Sequence, residues 1–192
     1  MAHNRSIASL NWSNLLTVVR ILLVPVLIVA LLGQTTNGDI LAAIVFALAS
    51  ATDFADGYLA RAREEITTFG KLMDPLADKL LIVAALISLV SLHRVAAWIA
   101  MVIIARELAV TVLRLGATQA GVVIAASNFG KVKTCVQIAT IMCLIAFRHH
   151  PLWLDLLVYA MVAITVASGL DYFFGLRRRL AQSRGAEAAH GG

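Results

Sequence analysis

Asp53-Phe54-Ala55-Asp56-Gly57-Tyr58-Leu59-Ala60-Arg61, followed after a short polar link by Gly70-Lys71-Leu72-Met73-Asp74-Pro75-Leu76-Ala77-Asp78, is the stretch from which the chain is best read. It joins two apolar runs, near residues 40–61 and 72–92, each long enough to span a bilayer core of about 30 Å as a helix. Ionisable groups inside such runs are costly, so each is a functional candidate. Asp53 and Asp56 precede Arg61 by eight and five residues, about 12 and 7.5 Å along a helix. Asp74 and Asp78 follow Lys71 by three and seven residues, about 4.5 and 10 Å. A hairpin of the two helices brings all four carboxylates to similar depth. Spacings of three and four residues put each pair on one helix face.

Four facing carboxylates cannot all stay ionised without cations. An all-oxygen cluster suits two divalent ions, Mg²⁺ or Mn²⁺, with phosphate oxygens completing the shell. Two other readings compete: structural ion pairs with Arg61, Lys79 and Arg106, and an ion or proton pathway. Buried ion pairs are weak sources of stability, which disfavours the first.

Composition agrees with a membrane setting. Of 192 residues, 60% are hydrophobic and 14% charged, against about 25% charged in a soluble domain. The net charge is +5. No basic and aromatic cluster on a soluble face suggests nucleic-acid binding. Cys135 and Cys143 lie eight residues apart in one apolar run, about 12 Å along a helix. That is too far for a disulfide, so both are expected to be packing residues. No cleavable signal is evident.

Six apolar runs, near 15–33, 40–61, 72–92, 95–115, 131–148 and 152–175, predict an all-α integral membrane protein of six transmembrane helices in one domain, 1–192. Pro25 is expected to kink the first helix. The segment 121–126 reads equally as strand, interfacial segment or early helix. The tail 177–192 is expected to be flexible. Positive charge collects on one side: Arg5, Arg61, Arg63, Lys71, Arg114, Lys131, Lys133, Arg177, Arg178, Arg179 and Arg184, against Arg94 and Arg148 on the other. Both termini and the aspartates are therefore expected on the cytoplasmic side of the cell membrane.

The pattern Asp53-x2-Asp56-Gly57-x2-Ala60-Arg61-x8-Gly70-x3-Asp74-x3-Asp78 resembles in full the signature of the CDP-alcohol phosphotransferases. Its eight fixed positions would coincide by chance at about one in a billion per start site. The resemblance implies six transmembrane helices, a homodimer and a two-metal site open to the cytoplasm. It implies Asp53, Asp56 and Asp74 as metal ligands, and Asp78 as general base near or on the second metal. Gly57 and Ala60 either admit a nucleotide close to the backbone or pack helices tightly. Gly70 belongs to the same CDP-lipid-binding signature. Arg61 either pairs with a phosphate or snorkels at the interface.

Softer motifs flank the signature. Asn14-Leu15-Leu16-Thr17-x2-Arg20, Arg106-Glu107-x6-Arg114 and Ala125-Ala126-Ser127-x2-Gly130-Lys131-x-Lys133-Thr134-x2-Gln137 resemble the phosphatidylglycerophosphate synthase branch, with a departure at Asn128. Asn14 and Thr17 are placed to hydrogen-bond cytosine; helix capping is the competing role for Asn14. Arg106, Lys131 and Lys133, with Arg114, are expected to form a basic pocket near the aspartates, suited to an acceptor's phosphate dianion. Otherwise the lysines are membrane anchors and Arg106 pairs with Glu107 or an aspartate. The expected reaction moves the phosphatidyl group of CDP-diacylglycerol to glycerol 3-phosphate, releasing CMP. Inositol phosphate, or phosphatidylglycerol to make cardiolipin, is the alternative acceptor. An ion-coupled transporter is the alternative of another class.

Overall fold

The computed structural model describes the backbone of residues 12–33, 35, 37–63, 68–119, 128–149 and 151–190. Side chains are described for 18–33, 35, 37–52, 79–117, 130–149, 151–175 and 177–178. Every described element is helical: α1 (Trp12–Leu32), α2 (Gly38–Arg63), α3 (Thr68–Ser91), α4 (Ala97–Gln119), α5 (Asn128–Ala146) and α6 (Leu152–His190). The six helices stand where the six apolar runs predict them. Pro25 lies inside an unbroken α1. The undecided segment 121–126 lies outside the described residues. α6 runs to His190, well past the expected end of its span near 175. The Leu, Arg, Ala, Gln and Glu residues there are good helix formers, and the segment expected as a flexible tail continues the helix.

The chain divides into two compact units, Met1–Leu89 and Val90–Gly192. In the first, α1 packs on α2. Leu27, Ala30 and Leu31 of α1 are buried, as are Ala42, Val45, Phe46 and Ala49 of α2, an i, i+3, i+4, i+7 stripe. The connection is tight. A Cβ on Gly38 would lie 2.6 Å from the Ala30 carbonyl oxygen, so only glycine fits. The Asn37 carbonyl accepts the first bond of α2 from Leu41 N–H at 2.9 Å, and Asp39 adds negative charge to the first turn. α3 buries Leu81, Ile82, Ala85, Leu86 and Leu89.

In the second unit, α6 packs on both α4 and α5. His93, at φ 57°, takes the left-handed conformation in the turn before α4. Arg94 Nη1 donates to the carbonyls of Leu144 at 3.3 Å and Ile145 at 2.9 Å. It thus caps the electronegative end of α5 with a cation. α6 starts after Pro151, with Asp155 in its first turn.

Large apolar side chains cover the outside of the helices. Leu22 and Val29 on α1, Ile44 and Leu48 on α2, Ile87 on α3, Met101 and Val112 on α4, and Leu156 and Leu170 on α6 are all exposed. Hydrocarbon is the solvent that such a surface fits. Leu152–Gly175 is long and apolar enough to cross a membrane, and 28% of its most apolar window is buried. Among the described residues three further apolar stretches are shorter: Val18–Leu32, Gly38–Thr52 and Lys79–Ser91. The latter two are the halves of α2 and α3 away from the aspartates. Cys135 and Cys143 are free, and Cys135 is exposed on α5, an outward position where sequence reading expected packing.

Candidate active site

The acidic signature is carried by two consecutive helices. Asp53, Asp56, Gly57, Ala60 and Arg61 occupy the last three turns of α2, which continues to Arg63. Gly70, Asp74 and Asp78 occupy the first three turns of α3, which begins at Thr68. Because the backbone is helical throughout both segments, the register sets Asp53 with Asp56 on one face of α2 and Asp74 with Asp78 on one face of α3. The side chains of these eight residues, and those of Asn14 and Thr17 on α1, lie outside the described set. α1 begins at Trp12, so Asn14 sits within its first turn and not at the capping position. Among the described residues no group of three His, Cys, Asp or Glu side chains gathers.

The basic candidates fall in the second unit, where the interhelical seam changes character along its length. α6 buries Leu154, Val158 and Met161, then Thr165 and Ser168, in steps of four and three residues. α4 buries Ile99 and Ile103, then Glu107, with Arg106 beside it. α5 runs the other way: Lys133, Gln137 and Thr140 first, then Ile141, Leu144 and Ile145. One half of the seam is thus hydrocarbon and the other half polar and charged.

In the polar half, Lys133 Nζ donates to Glu107 Oε1, both side chains being at least 95% buried. Arg106 Nη1 approaches the same oxygen at 3.4 Å, and its Nη2 donates to Ser168 Oγ at 2.7 Å. Among the described residues one carboxylate therefore serves two cations. Lys133 stands in the second turn of α5, near the end where the helix dipole disfavours a cation; Glu107 offsets that cost. Lys131, by contrast, is exposed. Arg114 is exposed and lies with its guanidinium carbon 5.7 Å from the Tyr172 ring centroid, a cation–π contact. The structure thus joins Arg106 and Lys133 through Glu107, whereas Lys131 and Arg114 are exposed.

Among these polar groups, Glu107 was a candidate partner of Arg106 in the sequence reading, whereas Ser168, Thr165 and Gln137 carried no role. Glu107, Ser168, Thr165 and Gln137 are all buried in the seam. The 4-3-4-3 continuation of the α6 stripe from apolar into hydroxyl residues was the signal available for Thr165 and Ser168. Arg20 is 1% exposed, among the largest fully buried side chains. A buried arginine on so apolar a helix is a functional candidate in its own right.

The model of the CDP-alcohol phosphatidyltransferase family matches residues 10–173. A Bacillus subtilis (strain 168) protein named CDP-diacylglycerol–glycerol-3-phosphate 3-phosphatidyltransferase is 42% identical, over 85% of this chain and 93% of that protein. Proteins of the same name from Rickettsia felis and Pseudomonas fluorescens are 36% and 39% identical, over 85% and 84% of this chain and 93% and 84% of theirs. With the signature complete on α2 and α3 and the match running from α1 into α6, the chain belongs to the CDP-alcohol phosphatidyltransferase family.

Proposed function

We propose that the chain transfers the phosphatidyl group of CDP-diacylglycerol to glycerol 3-phosphate, giving phosphatidylglycerol phosphate and CMP. The observation that carries this reading is the unbroken acidic signature on α2 and α3, in a chain whose relatives are named for this transfer. None of these relatives' names and no described feature favours inositol phosphate, phosphatidylglycerol or an ion-coupled transporter.

The donor set fits a divalent metal pair: four hard carboxylates, two on each of two consecutive helices, at spacings that keep each pair on one face. Asp53, Asp56 and Asp74 would hold the ions, with Asp78 beside the second. When bound, two divalent ions, Mg²⁺ or Mn²⁺, screen the pyrophosphate charge and stabilise the departing CMP. Gly57, Ala60 and Gly70 leave room for the nucleotide against the backbone, Asn14 and Thr17 meet the cytosine, and Arg61 meets a phosphate. Asp78 takes the proton of the glycerol 3-phosphate C1 hydroxyl. The oxygen so freed bonds to the phosphorus bearing diacylglycerol, and the bond from that phosphorus to the CMP oxygen breaks.

Arg106 and Lys133 bind the acceptor's phosphate by charge-assisted hydrogen bonds, and Lys131 and Arg114 add charge at the entrance. Their convergence on one buried carboxylate, which holds two cations side by side, supports this role. The six helices span the membrane, with both termini and the reaction on the cytoplasmic side; the asymmetry of Lys and Arg supports that orientation. The family resemblance further implies a homodimer.

The test is CMP release from CDP-diacylglycerol in detergent with a panel of acceptors. Release that depends on glycerol 3-phosphate is expected. Release equally supported by inositol phosphate or phosphatidylglycerol would remove the acceptor assignment while keeping the reaction class. No CMP release with any alcohol would remove the enzyme reading.

A further inference from the structure

Arg106 lies across α6 at the one residue in that stretch with no side chain. A Cβ built on Gly169 would meet Arg106 Cγ at 3.2 Å, Nε at 3.4 Å and Cδ at 3.9 Å. The three nearest atoms all belong to the arginine, so the glycine's missing methyl is the space through which this side chain runs. Next to it, the Ser168 hydroxyl accepts from Nη2 at 2.7 Å. On the other edge of the guanidinium, Nη1 faces Glu107, which also holds Lys133. Nε is buried and has no hydrogen-bond partner among the described residues. Along the same α6 stripe, Thr165 Oγ1 and Tyr172 Oη are likewise buried without partners among the described residues, as is Gln137 Nε2 one turn from Lys133 on α5.

We propose that Ser168 and Gly169 are positioning residues for acceptor recognition: together they fix where the Arg106 guanidinium presents its charge. The proposal rests on the reading that Arg106 binds the acceptor's phosphate. Arginine has long rotamer freedom, and a cation that must be ordered anew at each binding event costs affinity. The glycine seats the stem of the side chain, the serine hydroxyl fixes one edge of the fork, and Glu107 fixes the other. The orientation is thereby set before substrate arrives, which is what a phosphate-binding fork needs. Ser168 and Gly169 touch the arginine and are given no contact with substrate. The role is specific to the acceptor, because the CDP-lipid's phosphates are assigned to the aspartate-held metals.

Steady-state kinetics of Ser168→Ala and Gly169→Ala, in detergent, test this alongside Arg106→Gln. Each α6 variant should raise the KM for glycerol 3-phosphate by about tenfold, the scale of one charge-assisted contact, and leave the KM for CDP-diacylglycerol within about twofold. In an Arg106→Gln background, neither α6 substitution should raise the glycerol 3-phosphate KM further, because its effect passes through the arginine. Thermal unfolding of each variant accompanies the kinetics. A KM for glycerol 3-phosphate unchanged in both α6 variants, while Arg106→Gln raises it, would overturn the positioning role alone. So would a rise that persists undiminished in the Arg106→Gln background, or a parallel rise in both substrates' KM values with a lowered melting temperature. An Arg106→Gln variant with normal glycerol 3-phosphate kinetics would remove the phosphate-binding reading and this inference with it.

Discussion

Lys133 of α5 and Glu107 of α4 form a buried ion pair, and Arg106 shares the same carboxylate oxygen. Taking charges out of water is expensive, and removing one partner strands the other. Glu107→Gln leaves two cations in the seam with a neutral amide, and should destabilise the protein by about 3–5 kcal/mol. Replacing both partners, as Glu107→Leu with Lys133→Leu, should restore only part of that stability, because Arg106 still loses its carboxylate, and should still fail to use glycerol 3-phosphate. Thermal melts in detergent, paired with the CMP-release assay, separate the two effects. Full acceptor use by the double variant would show that the pair is purely structural.

The two lysines of α5 should not behave alike. Lys133 is buried and fixed, whereas Lys131 is exposed. Lys133→Gln should raise the glycerol 3-phosphate KM by roughly ten- to a hundredfold, as loss of a charge-assisted contact predicts. Lys131→Gln should change it by roughly threefold or less, with a dependence on ionic strength that a screened surface charge shows. A reversed order of the two effects would return Lys133 to a structural role.

Among the aspartates, substitution should sort into two classes. Asp53→Asn, Asp56→Asn and Asp74→Asn should weaken metal and CDP-lipid binding together with rate. Asp78→Asn should reduce rate most and spare CDP-lipid binding, since a lost proton acceptor acts in the transition state. Excess chelator should abolish turnover, and Mg²⁺ or Mn²⁺ should restore it. Near-normal turnover by Asp78→Asn would end the general-base assignment.

Orientation is open to cysteine labelling. With Cys135 and Cys143 replaced, a cysteine at the exposed Thr35 or His149 should react with an impermeant reagent from outside the cell membrane. One at Arg177 should react only after the membrane is opened. The opposite pattern would put the basic loops outside and contradict the proposed cytoplasmic site.

Helix count and placement were legible because six apolar runs allow one backbone solution in lipid, and because the links 34–39, 93–94 and 149–151 are too short to hide another element. The reaction class was legible because the full signature resembles that of a known family; the helical spacing of the carboxylates alone pointed to a divalent-metal site. Helix ends were read less well. α6 continues past 175 because good helix formers need no apolar pattern to stay helical. The pairing of Arg106 was left open between Glu107 and an aspartate; the structure sets it against Glu107 and Ser168. Ser168 and Gly169 escaped notice because a small residue on an apolar helix looks the same whether it packs a neighbour or seats a side chain 62 positions away. Only the packing partner, which depends on how α4 meets α6, distinguishes the two.

The Arg94 cap has a bearing on the order in which the chain is put together. Its guanidinium is held by carbonyls 50 and 51 residues further on. At ribosomal speeds of roughly 5–20 residues per second, those partners emerge several seconds after the turn that carries the arginine. During that interval the turn between α3 and α4 lacks these two carbonyl bonds, and the end of α5 has yet to receive its cation. The bond therefore closes late: it can form only after α4 and α5, both made after the turn, are complete.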